Sequence, residues 1–178
     1  SKCMPGQTFL EGDKISLRTV EKEDIEFLRD GVNHPEVRKH MGNTRPQNLE
    51  SEEEFFENIV EASDGIHLLI CREDEPMGIV KLEEKEKPSN IAELGLWLHP
   101  EYHSQGYGTE AIELIVEHGF RQLNYHKLYA RAHEDNKGSQ RIWEKHGFEK
   151  EGQLREHVLV KGEHRDMIYY GLLRGEHE

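Results

Sequence analysis

Apolar and polar side chains alternate over residues 15–19 (ISLRT), the period of two that marks a half-buried strand. The period then lengthens. Ile25, Phe27 and Leu28 place a helix over Glu23 to Asp30, and Pro35 opens a short helical turn through Val37. Ser51 precedes EEEFFENIVEA, where Glu54 three residues on fits a capping box and the acidic first turn suits the helix dipole. Phe55, Phe56, Ile59 and Val60 form its apolar stripe. Strand periods return over 66–72 (IHLLICR), 77–83 (MGIVKLE) and 91–98 (IAELGLWL). The turn EDEP joins the first two, the charged run EEKEKPSN reads as a loop before the third, and Pro100 ends it.

The second half alternates the two periods. Ala111, Ile112, Leu114, Ile115, Gly119 and Phe120 recur at three and four and predict a long helix over 106–122. Residues 127–133 (KLYARAH) read as a strand, and Asn136 to His146 as a helix closed by Gly147. Residues 149–160 and 164–173 alternate around Lys161-Gly162, a hairpin signal. Strand–helix–strand passages between 91 and 133 require a parallel crossover, whereas the other connections are hairpin-like. The expected class is α+β, a single domain with a mixed, strongly twisted sheet of six to seven strands and helices on both faces. Residues 1–8 are expected to be disordered or an expression remnant.

Composition narrows the function. Of 178 residues, 34% are apolar and 33% charged, yet the apolar ones fall in periodic runs, which argues against disorder. The net charge of −13 argues against a duplex-DNA reader, which needs a basic face, and favours cationic partners such as amines or basic peptides. No apolar run approaches the roughly 20 residues of a membrane helix, and SKCMPGQTFL does not read as a signal peptide. Cys3 and Cys71 form no disulfide framework and read as free thiols of a reducing cytoplasm. The 12 histidines do not carry metal spacing: His99 and His103 are separated by Pro100, and His157 and His164 flank a hairpin turn.

The chemistry-bearing segment is His103-Ser104-Gln105-Gly106-Tyr107-Gly108-Thr109, between a strand and a helix. Two glycines there let backbone approach a ligand, and the free amides of a helix start can cradle a pyrophosphate. A tight turn before a helix explains the glycines equally well. A Walker loop is disfavoured, since Glu110 stands where its lysine belongs. A dinucleotide fingerprint is disfavoured too, because His126 and Lys127 occupy the region where its acidic residue belongs.

Three stretches resemble the GNAT superfamily of acyl-CoA-dependent N-acetyltransferases, in the branch named for ribosomal-protein-alanine acetyltransferases. They are Leu17-Arg18 with Glu23-Asp24, the run Ala92 to Ala111, and Asn136-x-x-Ser139 leading to Glu144-Lys145-His146-Gly147-Phe148. The resemblance implies acetyl-CoA as co-substrate and the family's sheet, split near the cofactor. The family's Gln/Arg-x-x-Gly-x-Gly/Ala motif falls on His103, Gly106 and Gly108, with His103 departing from its first position. Ser104, Gln105, Tyr107 and Thr109 belong to the same turn. Backbone near Trp97 and Leu98 would pair with the pantetheine arm, and Asn136 and Ser139 match positions that reach the cofactor's lower arm.

Acetyl transfer to an amine needs a neutral amine, a polarised carbonyl and a protonated leaving thiolate. The resemblance implies Glu93 as the base, directly or through water; a structural carboxylate is the competing role. The family's acidic tyrosine falls on Trp143, whose indole does not donate a proton at useful pH. Ser139 or solvent is left as the acid, and Trp143 and Phe148 read as core. The branch implies a protein N-terminal amine as acceptor, with a polyamine or other metabolite amine as the runner-up. A non-catalytic acyl-CoA sensor is the alternative that Trp143 keeps open. A homodimer is compatible with the same resemblance.

Overall fold

The strand periods assemble into one open sheet, seen in a computed structural model that describes residues 6–39, 54, 56–57 and 65–177. Its strands are β1 (Thr8–Glu11), β2 (Ser16–Thr19), β3 (Gly65–Arg72), β4 (Glu75–Glu86), β5 (Ile91–Leu98), β6 (Lys127–His133), β7 (Glu149–Val160) and β8 (Glu163–Leu173). Their spatial order is β1-β2-β3-β4-β5-β6-β8-β7. The pairings are antiparallel except β5 with β6, which is parallel. The helices whose ends lie among the described residues are α1 (Ile25–Asn33), α2 (Pro35–Arg38), α3 (Tyr107–Arg121) and α4 (Lys137–Lys145). Helix α3 is the crossover that a parallel pair requires.

Two expectations need correction. The sheet has eight strands, because Thr8 to Glu11 pairs with β2. Leu10 packs against the main core, so this end of the chain has apolar area to bury; residues 1–5 lie outside the described residues. The first half of the charged run EEKEKPSN is strand, since β4 continues to Glu86 and a 3-10 turn follows, Lys87–Ser89. Glu83 and Lys85 are paired. Glu83 takes Lys81 Nζ at 2.7 Å and faces His67 Nε2 at 3.6 Å, while Lys85 Nζ reaches Glu93 at 2.9 Å on the next strand. Opposite charges across neighbouring strands thus replace apolar partners.

Other expectations match closely. Lys161 and Gly162 both have positive φ (50° and 78°), as a two-residue hairpin turn demands. Asn136 caps α4 and Gly147 follows it at φ 87°. Of the helix expected after Ser51, Glu54, Phe56 and Glu57 are described; all three are helical and Phe56 is buried. Phe55, Ile59 and Val60 lie outside the described residues.

The sheet separates two cores. Helix α3 buries Ala111, Ile112, Ile115 and Phe120 with Leu82, Leu94 and Leu128, in the same cluster as Trp143 and Phe148. A Cβ at Gly119 would stand 3.1 Å from Leu82 Cδ1, so the glycine lets helix and sheet approach closely. The other core joins Ile25 and Leu28 of α1 to Leu69, Cys71 and Ile79, with Phe27 and Trp97 packed on it. Burial pushes the free Cys71 thiol up to about 12, so it stays protonated and inert at neutral pH.

Phe120 is 2% exposed. Phe120→Ala is expected to cost about 3–5 kcal/mol in urea unfolding, through lost transfer energy and a residual cavity. Glu83 yields a pH prediction. The facing His67 imidazole, then the Lys81 bond and charge, hold its carboxyl down to about 2 against the opposing effect of burial. A depressed folded pKa contributes stability above the unfolded carboxylate value, and that stability is lost as pH falls toward 2. Glu83→Gln is therefore expected to lose roughly 1–3 kcal/mol at pH 7 and to flatten the stability profile between about pH 5 and 2. Unfolding curves of both proteins across that range check it; parallel profiles would remove Glu83 from the pH response.

Candidate active site

Strands β5 and β6 pair over three residues only, Ile91↔Lys127, Ala92↔Leu128 and Glu93↔Tyr129. Beyond Glu93 they part. β5 stays with β4 as far as Gly78↔Leu98, and β6 stays with β8 as far as His133↔Met167. A cleft therefore opens in the middle of the sheet, edged by Leu94–Leu98 and Ala130–His133. The backbone groups along such an edge need a partner, and an extended ligand can serve as an added strand.

Each parted strand leads into a helix. After β5, a 3-10 turn at Pro100–Tyr102 carries the chain to α3. Ser104 (φ 60°) and Gly106 (φ 86°) both adopt the left-handed region in this turn. Gly106 is the N-cap of α3, and Glu110 N donates the first helical bond to Gly106 O at 3.1 Å. The amides of Tyr107, Gly108 and Thr109 thus precede the helical ladder and remain available to an anion. Gly108 makes ordinary contacts only, since a Cβ there would be 3.6 Å from Leu96 and 3.7 Å from Leu98.

The departure at His103 has a structural consequence. Its Nε2 donates to Leu98 O at 2.8 Å, tying the turn to the end of β5, and Gln105 Nε2 donates to Glu101 O at 2.8 Å. The Tyr107 ring is buried and its hydroxyl accepts from Arg72 Nη1 at 3.0 Å, so its side chain serves the fold. Trp97 also divides its roles. Its backbone belongs to the cleft edge, while its ring stacks on Phe27 at 5.8 Å and lies against α1, where a Cβ at Gly31 would strike it.

After β6, Asn136 Oδ1 accepts from Ser139 N at 3.1 Å and caps α4. Ser139 is half-buried in the first turn of α4. Trp143 packs on Phe148 with ring centroids 5.3 Å apart and is core, as expected. The starts of α3 and α4 thus follow the C-terminal ends of the two strands that edge the cleft.

Glu93 lies on the last paired rung and is 6% exposed. Arg131 Nε meets its Oε2 at 2.6 Å and Arg131 Nη2 donates to its Oε1 at 3.2 Å; Lys85 Nζ reaches Oε1 at 2.9 Å. Two cations thus converge on one buried carboxylate and fix its position. Neither partner was singled out by sequence reasoning. The signal was present: in 127–133, Lys127, Tyr129, Arg131 and His133 alternate with Leu128, Ala130 and Ala132, which marks a polar sheet face.

The geometry agrees with what known proteins show. Residues 14–149 match the family described as the acetyltransferase (GNAT) domain. The spermidine N(1)-acetyltransferase of Escherichia coli (strain K12) is 29% identical over 164 residues, covering 86% of this chain and 83% of that protein. Among solved structures, the spermidine N-acetyltransferase from Vibrio cholerae in complex with CoA and spermine superposes with a TM-score of 0.87 at 21% identity, covering 93% of this chain and 98% of that one. The ribosomal L7/L12 α-N-protein acetyltransferase RimL, in complex with CoA, superposes with a TM-score of 0.84 at 16% identity, covering 94% and 98%. The sensor alternative gives way to an enzyme: the chain belongs to the GNAT acetyltransferase family and is an N-acetyltransferase with acetyl-CoA as co-substrate.

Proposed function

We propose that the enzyme acetylates the primary amine of a cationic alkyl amine, a polyamine first, with Glu93 handling the amine's proton. The observation that carries this reading is the buried carboxylate at the root of the cleft, held in place by Arg131 and Lys85. The net charge of −13 and the likeness to a spermidine N(1)-acetyltransferase over most of the chain support a cationic acceptor.

The residues fit the co-substrate. Past Glu93 no β5–β6 ladder joins the two cleft edges, and the turn at Ser104–Thr109 offers amides at the start of a 15-residue helix. In this reading Trp97 and Leu98 pair with the pantetheine arm through their backbone. Ser104, Gln105, Gly106, Tyr107, Gly108 and Thr109 cradle the pyrophosphate, with His103 bracing the turn. Asn136 and Ser139 stand beside the lower arm. When bound, acetyl-CoA supplies an activated thioester carbonyl.

The chain's own residues manage the protons. An alkyl amine is mostly protonated at neutral pH and must lose a proton to attack. With Arg131 and Lys85 on its oxygens, Glu93 accepts that proton through water and stabilises positive charge on the attacking nitrogen. The Ser139 hydroxyl, held in the capped first turn of α4, protonates the departing thiolate, with solvent as its source of replacement protons. A second reading, a protein N-terminal amine, is supported by the resemblance of Leu17-Arg18 with Glu23-Asp24 to the opening of the ribosomal-protein-alanine branch.

Glu93→Gln is expected to lower kcat/KM for spermidine about 100-fold and to alter its pH profile. Unchanged turnover across the full pH range would remove Glu93 from the proton path. The same assay with basic N-terminal peptides decides the acceptor. A higher kcat/KM for spermidine supports the polyamine reading, and a higher value for a peptide overturns it in favour of the second.

A further inference from the structure

We propose that Lys14 is a positioning residue for a phosphate of acetyl-CoA, closing the amide-lined turn from the side of the β1–β2 connection. The inference rests on the cofactor reading above and goes beyond its sequence motif, which ends at Thr109. Lys14 lies 92 positions before Gly106 in the chain, and only the tertiary fold brings them together.

Glu110 makes the connection. Its Oε1 accepts from Lys14 N at 2.9 Å and from Ile15 N at 3.3 Å, and its Oε2 accepts from Lys14 N at 3.2 Å. A Cβ at Gly12 would collide with Glu110 Oε1, so the glycine lets the turn seat itself on the carboxylate. The backbone of Lys14 is thereby pinned to the first turn of α3. Its side chain reaches back to the N-cap: a Cβ at Gly106 would stand 3.6 Å from Lys14 Nζ.

The electrostatics of this placement are informative. The ammonium stands beside the positive end of α3, an arrangement that opposes itself without an anion between the two. Glu110 does not serve as that anion in full, because its oxygens are committed to backbone amides. A phosphate held by the α3 amides would have Lys14 as its countercharge and relieve the opposition. The space is there: Lys14, Gly106 and Thr109 line one end of a groove of about 680 Å³. Asp13 and Glu110 line the Lys14 end too, and further along α3 Arg121 pairs with Glu117, so Lys14 is the cation that stands beside the N-cap.

Calorimetric titration tests the proposal without an acceptor and without turnover. Wild type, Lys14→Ala, Lys14→Arg and Gly106→Glu are titrated with CoA and with the form lacking the 3′-phosphate. Lys14→Ala is expected to raise Kd for CoA about five- to tenfold, with Arg restoring most of the affinity. If the loss persists with the dephosphorylated ligand, Lys14 holds the pyrophosphate; if it vanishes there, Lys14 holds the 3′-phosphate. Both outcomes support the role. An unchanged Kd for Lys14→Ala, beside a wild type that binds and a Gly106→Glu variant that does not, overturns it and leaves the cofactor site standing. Failure of the wild type to bind either ligand overturns both. Matching thermal unfolding of wild type and Lys14→Ala without ligand separates a lost contact from a lost fold.

Discussion

The parting of β5 from β6 after Glu93 is the constraint on which the site depends. Each strand keeps its outer partner to its end, β4 for one and β8 for the other. A twisted sheet that holds both outer ladders and only three central rungs must open between them. The opening leaves strand backbone without a strand partner, in a place where polar groups require one. The starts of α3 and α4 follow at its two margins. The cleft is thus a consequence of strand pairing, and the glycine turn stands beside a gap that the sheet has already made.

Charge management is the second theme. A chain with net charge −13 must keep its carboxylates from repelling one another, and three of them have well-defined partners. Glu93 is answered by Arg131 and Lys85, Glu83 by His67 and Lys81, and Glu110 by the backbone amides of Lys14 and Ile15. Glu110 is instructive. As the acid that disfavours a Walker loop, it looks hostile to phosphate in the sequence. In the fold its charge is turned to the β1–β2 connection, and it holds a lysine near the helix start.

Much of this was legible in the residue pattern, and the reasons for the exceptions are physical. Period and turn residues located α3, α4, β5 and the Lys161-Gly162 hairpin to within a residue or two; α3 and β5 bury one face against a core, and Lys161-Gly162 marks the turn between β7, which is largely exposed, and β8. The β4 extension was misread as loop, since Glu83 and Lys85 are stabilised by partners on β3 and β5 and not by burial of apolar area. Strand β1 was discounted because a four-residue strand at the end of the chain draws its stability from Leu10 and β2, neither of which local pattern can pair with it.

The sequence by itself determined the order of elements, the fold class, the glycine turn and the acidic character that favours a cationic acceptor. These follow from side-chain period, backbone freedom and charge, which are local or additive properties. Only the tertiary structure decided that Arg131 and Lys85 clamp Glu93, that His103 braces Leu98, and that Lys14 stands at the start of α3. Those are relations between residues far apart in the chain, and they exist only once sheet register and helix packing have brought the groups within hydrogen-bonding reach.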